Sequence, residues 1–195
     1  MTEGAPMPQR YFELTDDMSI RGRWVLGTPT DLQAREVEDP WIFKKGRPIL
    51  DPGRLRVPVD VPGKPLDFCL AGFATPIVHV RVASLFVEIA PADVQILPVD
   101  IQGHADQFCI LVATKLIRCI DDAASEEVEY WKPEDGRPEK VGQYRKVSGM
   151  RIDPSRVGDA QVFRTWGWSV VLIVSEGLKG ALERVGATGT LFEAV

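Results

Sequence analysis

The sequence predicts a single α+β domain, built on a mainly antiparallel sheet with two principal helices. The first indication is a series of short strand-like runs, rich in branched and aromatic residues and separated by turn residues. The 195 residues include 15 Pro and 17 Gly spread along the chain, which favours short elements. The second indication is a pair of apolar patterns with helical spacing, at residues 76–90 and 175–185. A chain of this length can bury one substantial core, so residues 10–195 are predicted to form one domain after a disordered lead at residues 1–9.

The predicted strands lie on both sides of the first helical pattern. Residues 55–61 alternate apolar and polar side chains, which is typical of a strand with one buried face, and Pro58 indicates a sheet edge. Residues 94–101 and 108–120 flank a turn-like sequence and predict an antiparallel hairpin. The other predicted strands are short and apolar: residues 11–14, 24–26, 147–152, 162–168, 170–174 and 190–195.

Two helices are predicted from capping residues and from one-sided apolar periodicity. For residues 76–90, Thr75 is a suitable amino-terminal cap and Pro76 a suitable first helical residue. The second helix is expected to begin after the cap Ser175 and to end at Gly186. Because the apolar residues of each stretch recur at helical spacing, one face of each helix is expected to enter the core.

The charge distribution singles out one segment, residues 121–139, which we call the acidic segment. Its sequence, DDAASEEVEYWKPEDGRPE, holds eight carboxylates against Lys132 and Arg137, whereas the whole chain carries a net charge of −5. Carboxylates around exposed aromatic rings can steer a basic partner and then anchor it by burying ring area. The alternative is a solvated charged loop whose two aromatic rings turn back into the core. The candidate partner-binding residues are Glu126, Glu127, Glu129, Tyr130, Trp131, Glu134 and Asp135.

The sequence contains no familiar catalytic or metal-binding motif. Zinc-ligand spacings, phosphate-binding glycine loops and nucleophile elbows are absent, so no metal or cofactor is expected. The pattern therefore favours a binding protein over an enzyme. The alternative is a small cytoplasmic enzyme whose pocket combines dispersed polar residues such as His104, Asp106 and Arg164.

The composition indicates a cytoplasmic protein that binds neither nucleic acid nor membranes. A net charge of −5 lacks the basic excess that phosphate neutralisation requires. The longest aliphatic run, residues 170–174, is too short to span a bilayer, and the first residues do not resemble a signal peptide. Cys69, Cys109 and Cys119 all lie among apolar residues, which predicts reduced and buried thiols.

Five strings along the chain carry a family resemblance. They are RYFEL at 10–14, EVEDPWIF at 36–43, GKPLDFCLAGFATPIV at 63–78, EEVEYWKPEDGRPEKVGQYRKVSGMRIDPSRVGDAQVFR at 126–164 and IVSEGLKGALERVGATGTLF at 173–192. Together they resemble a bacterial family of immunity proteins from polymorphic toxin systems, first catalogued as a domain of unknown function and common in myxobacteria. The resemblance covers nearly the whole chain from Arg10 onward.

The resemblance implies a cytoplasmic protein that binds a cognate toxin protein and blocks it. It carries over no catalytic residue. Many toxins of such systems attack nucleic acids and are basic, so a basic nuclease is one partner that an acidic inhibitor would suit. That last step follows from charge alone and rests on no motif.

Overall fold

The computed structural model describes residues 9–105 and 107–195. The predicted lead at residues 1–9 lies outside the described residues except for Gln9, and Asp106 lies outside them as well. The strands are β1 (Tyr11–Asp16), β2 (Val25–Leu26), β3 (Leu55–Val57), β4 (Val59–Val61), β5 (Phe68–Ala71), β6 (Thr75–His79), β7 (Val94–Ile101), β8 (Phe108–Ala113), β9 (Leu116–Ile117), β10 (Glu127–Tyr130), β11 (Tyr144–Ser148), β12 (Val162–Thr165), β13 (Trp168–Ser175) and β14 (Thr190–Ala194). The α-helices are α1 (Val80–Ile89) and α2 (Glu176–Arg184).

Ten of these strands form two five-stranded sheets. The first sheet has the order β14-β1-β13-β12-β9, and the second has the order β3-β7-β8-β6-β5. Neighbouring strands are antiparallel except for β9 beside β12 and β3 beside β7. The other four strands pair as β2–β4 and β10–β11. The predicted α+β class, with mainly antiparallel pairing and two principal helices, is confirmed, and the pairing is divided between two sheets.

The sheets and helices enclose a central core cluster, and two further clusters cover the outer faces of the sheets. The central cluster contains Phe12 and Val174 of the first sheet, Phe68 and Leu111 of the second sheet, and residues of both helices. The second cluster covers the other face of the second sheet. The third cluster lies between the first sheet and the β10–β11 hairpin. Within the described residues, no helix is long and apolar enough to cross a membrane.

The predicted helix at residues 76–90 is wrong in its first part. Thr75–His79 forms β6, which pairs with β5 and β8, and the helix begins only at Val80. Ile77 belongs to the second cluster whereas Val78 belongs to the central cluster, so adjacent residues are buried on opposite sides. That alternation is the period of a strand inside a sheet, and a helix with one apolar face does not produce it.

The predicted cap of the first helix is wrong, whereas the predicted cap of the second helix is confirmed. His79 caps α1 in place of Thr75, because its Nδ1 accepts the backbone N–H of Arg81 at 3.2 Å. Ser175 caps α2 as predicted, and its Oγ accepts the backbone N–H of Leu178 at 3.3 Å. The second helix is therefore confirmed.

The predicted hairpin at residues 94–101 and 108–120 is confirmed for β7 and β8. Every residue of β8 is buried, as expected for a central strand. The second strand ends at Ala113, however, and the chain then crosses to the first sheet, where Leu116–Ile117 forms β9. This crossing brings Lys115 and Leu116 close to the candidate site.

Candidate functional site

The acidic segment contains the strand β10, which pairs antiparallel with β11. Because side chains alternate along a strand, Glu127 and Glu129 face solvent while Val128 and Tyr130 pack against the third core cluster. The hairpin therefore presents a charged outer face and uses its apolar face to cover the first sheet.

The ring of Tyr130 is part of a small aromatic cluster. It stacks on the ring of Tyr144, with centroids 4.8 Å apart and an interplanar angle of 30°. The Tyr144 hydroxyl donates to Oδ1 of Asp122 at 2.8 Å, and the Tyr130 hydroxyl donates to the other carboxylate oxygen. Burial, followed by these hydrogen bonds, raises the pKa of both phenols, so both remain protonated donors at neutral pH. Tyr130 is half-buried and held on both sides.

Trp131 is half-buried and has two cations near its ring. The Lys140 Nζ is 5.2 Å from the ring centroid, and the Arg145 guanidinium carbon is 5.5 Å from it, distances at which a cation is attracted to the ring face. Arg145 also forms an ion pair with Asp135 at 3.1 Å. The Asp135 carboxylate accepts the backbone N–H of Lys132 at 2.8 Å as well, so it is engaged within its own turn.

The remaining carboxylates of the predicted contact set differ in how far they are neutralised. Glu127 forms an ion pair with Lys146 at 2.5 Å. Glu126, Glu129 and Glu134 are exposed, and none of the ion pairs among residues 9–105 and 107–195 involves them. Within the predicted contact set, these three residues therefore carry the negative charge that no ion pair of the described residues neutralises.

A groove borders the acidic segment at Trp131. It consists of two adjoining hollows of about 450 and 400 Å³, which share Lys45, Gln143, Gly167 and Ser169. Leu116 of β9 lines one hollow, and three separate stretches form the rest of the walls. They are the 3-10 turn Pro40–Lys44 with the residues after it, the region around β11, and the turn between β12 and β13.

The lining of this groove is aromatic and basic. Four of the five tryptophans in the chain line it, whereas the fifth, Trp24, is buried in the second core cluster. No described Asp or Glu residue lines either hollow. The tryptophans of the groove are Trp41, Trp131, Trp166 and Trp168, and its cations are Lys44, Lys45, Arg47, Lys140 and Arg145.

Two buried cations lie close together here: Lys44 lines the groove, and Arg164 is bonded behind the lining residue Val170. Lys44 is 3% exposed, and its Nζ lies 4.2 Å from the ring centroid of Trp41. Arg164 is 1% exposed and donates from Nη1 to the Val170 carbonyl at 3.1 Å. Its Nε and Nη2 have no hydrogen-bond partner in the described part of the chain.

Neither buried cation has a counter-ion among the residues that the structure describes. Burial, and then the charge of Arg164, lowers the pKa of Lys44 to about 8. Burial likewise lowers the pKa of Arg164 to about 9, with a small opposing effect of Glu13. Both side chains are thus still cationic at neutral pH, although water is largely excluded from them.

The structure separates two of the three residues named for the alternative enzyme pocket, His104 and Arg164. The His104 ring packs edge-on against Trp24 at 4.9 Å, beside the start of β8. The backbone N–H of Arg164 donates to the Lys115 carbonyl at 2.9 Å, just past the other end of β8. A six-residue strand is roughly 17 Å long, so the two side chains do not share a pocket. Asp106 lies outside the described residues.

The sequence pattern predicts the acidic segment but not the groove. Apart from Leu116, its walls come from residues 41–47, 131–145 and 166–170, which become neighbours only in the folded chain. One local signal was present: residues 41–47, WIFKKGR, place three cations beside an aromatic residue in a chain that is acidic overall.

Comparison with known proteins identifies the family of this chain. A family model described as Immunity protein family (Imm11) matches residues 4–195. No curated protein matches the chain. Because the family match extends over nearly the whole sequence, the chain belongs to the immunity protein family Imm11.

Proposed function

We propose that this protein binds and neutralises a cognate toxin of a bacterial polymorphic toxin system, and that it does so in the cytoplasm without catalytic turnover of its own. The observation that carries the proposal is the match to the Imm11 immunity protein family across residues 4–195. The separation of His104 from Arg164 adds support, because two of the three residues named for the enzyme alternative do not lie together.

The acidic segment is the proposed region of toxin contact. Glu126, Glu129 and Glu134 are exposed and carry charges that no described cation pairs with, so they are suited to attract a basic toxin. A basic nuclease is the partner that this charge fits best. Exposed charges at the rim of an interface act mainly on the association rate and on its salt dependence.

Trp131 and Tyr130 are the proposed anchors, and their contacts favour a larger contribution of Trp131 to toxin binding. Trp131 is half-buried with cations near its ring, so part of its area remains for a partner to bury. Tyr130 is stacked on Tyr144 and bonded to Asp122, so it contributes mainly by holding the hairpin in shape. Tryptophan is among the residues most often found at interface hot spots.

The test combines protection of cells with binding kinetics. The protein is co-expressed with the product of the adjacent gene, tested as the candidate toxin, and the purified pair is studied by surface plasmon resonance at several salt concentrations. Replacing Glu126, Glu129 and Glu134 with Gln should slow association and flatten its salt dependence. Trp131→Ala should instead speed dissociation, at a cost of about 2 kcal/mol for a hot spot.

A matched control is available elsewhere on the surface. Glu36, Glu88 and Glu183 are exposed carboxylates outside the acidic segment, and replacing all three with Gln changes the net charge by the same amount. This control should keep the association rate nearly unchanged. If neither triple variant changes the association rate, and salt does not change it either, the acidic segment is excluded from the interface. Absence of any complex with wild-type protein would overturn the function itself.

A further inference from the structure

We propose that the aromatic and basic groove binds a short carboxylate-rich peptide stretch of the same toxin. This inference rests on the proposed function, because it assigns a second contact to that partner. The toxin would then present carboxylates to the groove and a basic surface to the neighbouring acidic segment.

The charges in the groove favour an anionic occupant. Lys45 is already paired with Asp39, and Arg145 with Asp135 at 3.1 Å. Lys44 and Lys140, in contrast, form no ion pair with the described residues, and each places its Nζ near a tryptophan ring. Carboxylates entering the groove would supply the counter-ions that these two lysines lack.

The aromatic lining favours a peptide over a small inorganic anion. Trp41 is 49% exposed, although its ring packs edge-on against Phe73 at 5.5 Å. Trp166 has the Arg118 guanidinium carbon 4.3 Å from its ring centroid, so its ring is also placed beside a cation. Flat rings beside cations can bury the aliphatic parts of Glu or Asp side chains while the cations bind their carboxylates.

Size and surrounding charge disfavour a nucleic acid. Hollows of about 400 and 450 Å³ hold a few side chains, and the acidic segment adjoins them at Trp131. A phosphate backbone that continued beyond the groove would pass a surface carrying Glu126, Glu129 and Glu134. Binding of nucleic acid gains affinity from extended phosphate neutralisation, which this arrangement opposes. A short peptide segment can end before it reaches that surface.

The buried pair of Lys44, which lines the groove, and Arg164 beside it provides independent support. A fully buried guanidinium with two unbonded nitrogens is costly, and Lys44 beside it adds a second positive charge that forms no ion pair with the described residues. The pKa of Lys44 remains near 8, so its charge persists at neutral pH. Binding of an anion beside Lys44 would relieve the repulsion between the two cations.

The first experiment uses peptide probes with the full-length protein. Tryptophan fluorescence reports directly on the groove, because four of the five tryptophans line it. Hexaglutamate should change the emission with a salt-sensitive affinity, whereas hexalysine should not. Lys140→Glu and Lys44→Met should each weaken hexaglutamate binding by about tenfold or more, which is 1.4 kcal/mol.

The matched control is Arg184→Glu, which changes the charge of an exposed residue in the last turn of α2. Since α2 follows the far end of β13 from Trp168, this residue lies away from the groove, and hexaglutamate should bind the variant as it binds wild type. If Arg184→Glu weakened hexaglutamate binding equally, the effect would come from net charge alone. That result would overturn the assignment of the binding site to the groove. Tighter binding of the oligonucleotide hexathymidylate than of hexaglutamate would overturn the acidic-peptide specificity.

The second experiment repeats the groove substitutions with the toxin. Both Lys140→Glu and Lys44→Met should weaken the complex, and the denaturation midpoint of each variant shows that it is folded. Undiminished toxin binding by both variants overturns the groove assignment and leaves the proposed function standing. Hexaglutamate binding without toxin binding to wild type overturns the proposed function and leaves the groove as a site for acidic peptides.

Discussion

Replacing Lys44 with Met should make the protein more stable. Lys44 is 3% exposed and has no counter-ion in the described part of the chain, while the nearby Arg164 carries a second positive charge. Met is an unbranched apolar residue of similar length, so it can fill the same space without a charge. The substitution therefore removes a buried cation with little change in packing.

The pKa of Lys44 sets the size of the effect. A pKa of about 8 in the folded protein against 10.5 for ordinary lysine corresponds to about 3 kcal/mol, at 1.36 kcal/mol per pKa unit. The variant also loses the attraction between Lys44 Nζ and the Trp41 ring, which contributes about 0.5–1 kcal/mol. A net gain of about 2 kcal/mol is expected at pH 7.

The gain should depend on pH in a defined direction. Below pH 8, Lys44 is protonated in both the folded and the unfolded chain, so the full penalty applies to wild type. Between pH 8 and 10.5 the unfolded chain binds more protons than the folded chain, so the contribution of Lys44 makes wild type more stable as pH rises. The advantage of the variant should therefore disappear by about pH 10.5. Buried thiols have the opposite dependence, but they are present in both proteins and cancel in the difference.

Urea denaturation at pH 7 and at pH 10 measures this difference. Lys64→Met is the control, because Lys64 is exposed and forms no ion pair with the described residues. This control should change the free energy of unfolding by less than about 0.5 kcal/mol at either pH. A Lys44→Met variant that is less stable than wild type at pH 7 would refute the reasoning. So would a gain that stays constant up to pH 10.

Three further predictions concern residues outside the groove. Against the effect of burial, hydrogen bonds from Arg81 and Thr188 hold the pKa of Asp67 at about 2. Asp67→Asn should therefore lower stability by about 2 kcal/mol at pH 6, and urea denaturation should show this difference shrinking as pH falls from 4 to 2. The three cysteines are buried and unpaired, and burial raises the pKa of Cys69 and Cys119 to about 12, so thiol titration should be slow until the protein unfolds. Rapid labelling of the native protein would contradict this. His104→Ala should leave toxin protection intact and change stability by about 1 kcal/mol at most, and loss of protection by a folded variant would support the enzyme alternative.

The sequence predicts α2 well because several local signals agree there. Ser175 is a strong cap, Leu178 and Leu182 recur at helical spacing, and Gly186 follows the helix with a φ of 63°. The start of α1 is predicted wrongly because the apolar run before it, residues 76–78, is very short. A short apolar run does not distinguish a helix from a buried strand, and only the pairing of β6 with β5 and β8 decides between them.

The groove could not be predicted from local pattern because its charge is set by tertiary contacts. The chain carries a net charge of −5, and this value conceals how the charges are separated in space. Gly46 illustrates the dependence on the fold, since a Cβ there would lie 2.8 Å from the Cβ of Leu116. The segment that carries Lys44, Lys45 and Arg47 is therefore packed closely against β9, and this contact brings its cations beside Trp166.

The position of Trp131 connects the two surfaces that are proposed to bind the toxin. This residue lies within the acidic segment and also lines the groove. A partner that matches both surfaces must carry basic and acidic regions side by side, because reversing its orientation would oppose like charges at both. The acidic segment of this chain alone would attract any basic protein. The groove, in contrast, would bind only a partner that carries a carboxylate-rich stretch beside its basic surface. On this reasoning the exposed glutamates govern how fast the toxin is captured, and the buried cations, retained at a cost to stability, govern which toxin is held.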